Sequence, residues 1–167
     1  MNAKEKQKEI IVSFLKPLLK KEGYNTVGLT WWKINGAFFN VINLQNFSWN
    51  TKESVDFTFN FSTGLVSTLK DSKKITINDG ITYIRESYFP KISKSKYHNG
   101  NNGYHIDTST EITNFVESLS IDFENIILPQ LESLSSPEEV IKFYSDEFWA
   151  PRVKESLNQN KHVKKLE

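Results

Sequence analysis

The sequence predicts an α+β domain: an N-terminal helix, an antiparallel sheet of four to five strands, and two to three C-terminal helices packed on one face. Three observations carry this expectation. Asn35-Gly36 stands between two β-prone runs, Thr30-Trp31-Trp32-Lys33-Ile34 and Ala37-Phe38-Phe39-Asn40-Val41. That dipeptide marks a two-residue hairpin, because both central residues of a type I′ turn need positive φ. Val55-Asp56-Phe57-Thr58-Phe59-Asn60-Phe61 alternates apolar and polar residues, the pattern of a strand that buries one face. Beyond residue 107, Ile112, Phe115, Val116, Leu119, Phe123, Ile126, Ile127, Leu131 and Leu134 recur at helical spacing.

Residues 4–22 read as the first helix. Ile10, Ile11, Phe14, Leu15, Leu18 and Leu19 form its apolar stripe, Pro17 bends or restarts it, and Gly23 ends it. The Asn35-Gly36 loop pairs Ile34 with Ala37, Trp32 with Phe39 and Thr30 with Val41. Leu29, Ile42, Val27, Leu44, Trp31 and Phe38 take the other face, so both faces of the hairpin are apolar. The second face then needs either a local cover, a helix or the C-terminal segment, or a partner received on an aromatic patch. Lys74-Ile75-Thr76-Ile77 reads as a short strand or edge ribbon, Asp79-Gly80 as a turn and residues 81–85 as a further strand ended by Phe89-Pro90. Residues 91–103 form a long loop, and Tyr104-His105-Ile106 returns to the sheet. Asp107 or Thr108 caps the long helix, which Pro129 interrupts. Ser136-Pro137-Glu138-Glu139 opens the next helix with a cap, a proline at its first position and a capping-box Glu. A last short helix spans 151–157 before a Lys-rich tail.

At 167 residues the chain is expected to form a single domain over residues 1–165, with Leu166-Glu167 read as a cloning scar. The net charge is +1 and the only arginines are Arg85 and Arg152, which disfavours a dedicated nucleic-acid reader. With no cysteine, disulfides, thiolate metal sites and cysteine nucleophiles are excluded. The charged N-terminus lacks a signal-peptide apolar region and no run is long enough to span a bilayer, so a cytoplasmic protein without a membrane partner is expected.

Several stretches resemble one bacterial family, domain of unknown function 4304. Pro17-Leu18-Leu19-Lys20-Lys21-Glu22-Gly23-Tyr24 is similar to its helix-ending motif. Val41-Ile42-Asn43-Leu44-Gln45 and Phe57-Thr58-Phe59-Asn60 resemble its two core strands, each with one recurrent polar residue. Ile84-Arg85 resembles its next strand, and Leu128-Pro129-Gln130-Leu131 its proline-interrupted helix. The resemblance runs from about Pro17 to Leu134 and supports the fold while leaving chemistry open. Where the family tends to show a Trp-Trp pair before the long helix, this chain has Tyr104-His105; if that pair binds, the ligand or its affinity differs here.

No nucleophile elbow, Walker loop or dinucleotide fingerprint is present, so no catalytic residue and no cofactor is assigned. His98, His105 and Asp107 could be gathered as metal ligands only by chance, because they lack helical or hairpin spacing, and no metal is assigned either. The polar residues of interest are Gln45, Asn60 and Arg85, each on an expected strand. If they share a face, they converge on an anion or a partner's backbone; otherwise they satisfy neighbouring strands, with Arg85 paired to Asp56 or Glu86. The candidate binding set is Trp31, Gln45, Asn60, Arg85, Tyr104 and His105. The leading expectation is a binding or interaction module with a protein partner, of the immunity type that neutralises a toxin. The rival is a small enzyme acting on an anionic metabolite through Arg85, His105 and the basic loop 91–96. A third reading, RNA stacking on Trp31 or Tyr104, is disfavoured by the scarcity of arginine. Oligomeric state is left open.

Overall fold

A computed structural model describes residues 1–92 and 96–163. Leu166 and Glu167, and Ser93, Lys94 and Ser95 of the loop that follows Pro90, lie outside the described residues.

The first helical stretch runs through α1 (Ala3–Ile10), a π-helical turn (Ile11–Leu15) and α2 (Lys16–Lys21). Asn2 caps α1, accepting from the Glu5 N–H while the Glu5 carboxylate accepts from the Asn2 N–H. The π turn stands immediately before the proline: the Lys16 N–H reaches back to the Ile11 carbonyl. Pro17 has no N–H to give the preceding turn and its ring crowds the carbonyl four residues back, so the ladder widens there. The same device recurs in the C-terminal half. There α3 (Ile112–Asp122), a π turn (Phe123–Ile127) and α4 (Leu128–Ser133) follow one another, and Pro129 again sits at the start of the resumed helix. Beyond it, α5 (Pro137–Phe143) begins with the expected Ser136 cap and N-terminal proline. The last helix, α6 (Trp149–Val163), is longer than expected: it starts two residues earlier and continues through residues assigned to a solvated tail.

The sheet is antiparallel throughout. Strands β1 (Asn25–Val27), β2 (Thr30–Asn35), β3 (Phe38–Asn46), β4 (Ser54–Leu65) and β5 (Ile84–Arg85) are adjacent in that order, and β6 (Tyr104–Asp107) also pairs with β4. Both β5 and β6 therefore lie along one edge of the long β4, at Asn60-Phe61 and at Ser54 to Phe57 respectively. Three sequence expectations are corrected here. Lys74-Ile75-Thr76-Ile77 makes no strand; it enters a 3₁₀ turn (Ile77–Asp79), and of residues 81–85 only Ile84 and Arg85 pair. Asp107 does not cap a helix; its carboxylate accepts from the Ser109 N–H and the Ser109 and Thr110 hydroxyls in a turn that precedes α3.

The hairpin is also shifted by two residues from the expected register. Asn35 pairs with Phe38, Ile34 with Phe39 and Trp32 with Val41, so the loop is Gly36-Ala37 rather than Asn35-Gly36. Gly36 has φ +62° and Asn35 and Ala37 keep negative φ, the signature of a type II′ turn with glycine at its first central position. A slip of two preserves side-chain parity, so every residue keeps its expected face.

All the helices pack on one face of the sheet, the inner face. Trp31, Phe38, Ile42, Phe57, Phe59 and Phe61 meet Ile10, Leu15, Phe115, Phe123, Val140 and Val153 in one continuous core. Aromatic edges interlock there, as in Phe59 against Phe123 with ring centroids 4.8 Å apart. A polar thread crosses this core: the Asn40 amide donates to the Leu131 carbonyl at 3.0 Å, and the Thr63 hydroxyl bridges Asn40 and the Tyr144 hydroxyl. Its members satisfy one another, as buried polar groups must.

Candidate functional site

The outer face of the sheet falls into two halves. Around the hairpin turn, Trp32, Phe39 and Val41 are buried under residues 66–83, which cross the face as a strap. Ile75 is fully buried against them, with Val66, Leu69 and Ile77 beside it. The cover is thus neither a helix nor the C-terminal segment, and it leaves no patch for a partner on that half. The strap is pinned to β4 by the Ile81 N–H donating to the Thr63 carbonyl at 2.8 Å and by the Thr63 N–H donating to the Thr82 hydroxyl at 2.9 Å. Gly80 lets it lie flat, since a Cβ there would stand 1.8 Å from the Ser62 hydroxyl oxygen. The alternating strand is consequently buried on both sides: Thr58, Asn60 and Ser62 are as enclosed as the phenylalanines between them.

Beyond the strap, the outer face is polar, with Gln45 exposed and Asn60 buried. Asn60 donates to the Gln45 side-chain oxygen at 2.8 Å and contacts the Asn43 oxygen at 3.4 Å, making a row of amides across β3 and β4. Arg85 is the cross-strand neighbour of Asn60 and stands over the Phe47 ring, 5.8 Å from its centroid. Phe47 stacks on Trp49 with centroids 4.5 Å apart and rings 7° from parallel. Trp49 is 57% exposed, yet its indole N–H donates to an Asp56 carboxylate oxygen at 2.8 Å. The other Asp56 oxygen meets His105 Nδ1 at 2.7 Å. Asn50 ties this turn to β4 from both sides, donating to the Asp56 carbonyl and accepting from the Asp56 N–H, each at 2.8 Å.

Four of the six expected site residues, Gln45, Asn60, Arg85 and His105, are therefore brought onto one face by strand parity. The other two are not. Trp31 and Tyr104 are each 1% exposed and belong to the inner core. Tyr104 donates to the buried Asp122 carboxylate at 2.8 Å, and burial together with that charge pushes its hydroxyl well above the ordinary tyrosine range. Neither can stack on a ligand without unfolding its surroundings. Asp56 is bonded as above, and Glu86 accepts from the Thr58 hydroxyl and the Phe59 N–H and meets His98. His98, His105 and Asp107 do not converge, and among the described residues no three His, Asp or Glu side chains could hold a metal ion.

Sequence reasoning missed Phe47, Trp49 and Asp56. The signal available was two aromatics in the turn-rich run Asn46-Phe47-Ser48-Trp49-Asn50, where no helical or strand period accounts for them. Concave surface lies elsewhere: clefts of about 580 and 370 Å³ adjoin at Pro90, Gln130 and Ser133, and neither Arg85 nor His105 lines them. No described helix is long and apolar enough to cross a membrane.

No curated protein and no solved structure matches the chain. A family pattern does: the one described as domain of unknown function (DUF4304) matches residues 15–133, which span α2, the whole sheet and α4. The chain belongs to that family.

Proposed function

We propose that this protein is a cytoplasmic bacterial interaction module that binds a protein partner on the open half of its outer sheet face, in the manner of an immunity protein that neutralises a toxin. The observation that carries this reading is Trp49, an exposed indole already held in place. It stacks on Phe47 and its N–H is bonded to Asp56, so binding need not freeze it. A large side chain ordered before association loses little conformational entropy on binding, which is how aromatic anchors dominate interfaces. Around it, Arg85 supplies a positive charge, Gln45 an exposed amide and His105 with Asp56 a polar rim. That composition suits a partner surface presenting an apolar side chain to Trp49 and polar groups to the surrounding rim.

The test is a photo-cross-linking residue placed at the exposed position of Gln45, with adducts read by mass spectrometry. A single protein adduct in the native lysate, lost with Trp49→Ala, is the expected result. Adducts unchanged by Trp49→Ala, or a diffuse set of products, would contradict the reading. Neutralisation is tested separately, by co-expressing the cross-linked partner with and without this chain: the partner alone should arrest growth.

A further inference from the structure

A second site lies along the edge of β4 that carries β5 and β6. Between the segments of β4 that pair with β5 and β6, the Phe59 N–H meets no strand. It donates instead to a Glu86 carboxylate oxygen at 2.8 Å, and the Thr58 hydroxyl donates to the same oxygen at 2.8 Å. Glu86 is 1% exposed, so its second oxygen also needs a donor. His98 supplies it, with Nε2 3.2 Å away and only 7% of the His98 side chain exposed. A carboxylate only accepts, so the hydrogen of this bond is on Nε2 and the second ring nitrogen is left for another partner.

That imidazole lines a cleft of about 550 Å³ whose other walls are Ser87, Phe89, Pro90, Lys91, Ile92 and Gly100. The volume and the mixture of apolar walls with few polar groups are those of small-molecule sites. Lys91 is the only described non-glycine residue with positive φ, at +70°. A lysine held in the left-handed region is strained, and such strain concentrates where a side chain is positioned for a ligand. We infer that this cleft binds a small organic acid, its carboxylate held by the Lys91 ammonium and by His98 Nδ1, which takes up the acid's proton and so becomes a donor, and its apolar body against Phe89, Pro90 and Ile92. Among the described residues that line the cleft there is no carboxylate. Among the described lining residues, one ammonium and one imidazole match a carboxylate head, and a phosphate dianion calls for more donors than these.

The probes are benzoate and inorganic phosphate, titrated into the full chain while the imidazole nitrogens are followed by long-range ¹H–¹⁵N spectra. His105→Gln and His162→Gln assign the signals of the other two histidines and leave those of His98. Benzoate should shift the His98 resonances saturably, with phosphate at least tenfold weaker. Lys91→Met should weaken benzoate at least tenfold. Lys91 is exposed, so this variant leaves the fold intact, whereas His98→Gln strips Glu86 of its imidazole and risks the fold. The inference is overturned if benzoate gives no saturable shift, if Lys91→Met leaves its affinity unchanged, or if phosphate binds as well as benzoate.

Discussion

The two halves of the outer face are built on the same strands and differ in what covers them. On one, β2, β3 and β4 present Trp32, Phe39, Val41 and Ser62, and the strap carrying Ile75 seals them. On the other, β3 and β4 present Asn43, Gln45 and Asn60, and the side chains that rise above them are Phe47, Trp49, Arg85 and His105. An apolar half must be covered by the chain itself, because water penalises it at every moment. A polar half whose Gln45 amide stays in water and accepts from Asn60 can stay open. The contrast teaches that the same sheet face is structural where it is apolar and available for recognition where it is hydrogen-bonded, with Trp49 the one large aromatic left in solvent there.

Substitutions can break that contrast. The largest effect is expected at Trp32, 4% exposed under the strap: Trp32→Ala should lower unfolding free energy by about 3–5 kcal/mol, read from urea denaturation. Ile75→Ala tests whether the strap belongs to the core. Its fully buried side chain predicts a loss of about 2–5 kcal/mol, and a loss near zero would mean the strap is dispensable.

A pH titration probes the inner face in the same way. Burial raises the hydroxyls of Tyr24, Tyr104 and Tyr144, the last to about 12. Unfolded tyrosines lose their proton near pH 10, so above that pH the folded state holds more protons than the unfolded one. Stability is then complete below pH 10 and falls as pH rises, by about 1.4 kcal/mol per unit for each tyrosine still protonated. Urea midpoints between pH 9 and 11.5, with tyrosinate absorbance as a monitor, check the direction. The smallest effect is expected at Trp49, where Ala should cost no more than about 1 kcal/mol of stability, the loss of one exposed ring stack and one surface hydrogen bond.

Much of this was legible before the structure, and the reasons differ by element. Which face each hairpin residue takes follows from strand parity alone, so Gln45, Asn60, Arg85 and His105 could be suspected of sharing a surface. The register was not legible, since Gly36 serves either of two hairpin turns and only the pairing of Asn35 with Phe38 decides between them. The strap escaped notice because Leu69, Ile75 and Ile77 are spaced without period among lysines and serines. Thr58, Asn60 and Ser62 read as solvent-facing because alternation reports polarity and not burial: all three are enclosed, with Ser62 Oγ and Asn60 Oδ1 finding no hydrogen-bond partner. Trp31 and Trp49 show the same limit in reverse: the first looked like a binding residue and is core, with an indole N–H that finds no acceptor, while the second sits in a turn where pattern analysis has no purchase.

The most direct test of the separation between cover and recognition measures stability and partner retention together in Trp49→Ala. Urea denaturation should place the variant within about 1 kcal/mol of the parent, while retention of the cross-linked partner falls at least thirtyfold, the effect of losing an interface anchor worth about 2 kcal/mol. A variant that keeps its partner, or that loses it only because it has unfolded, would contradict the account.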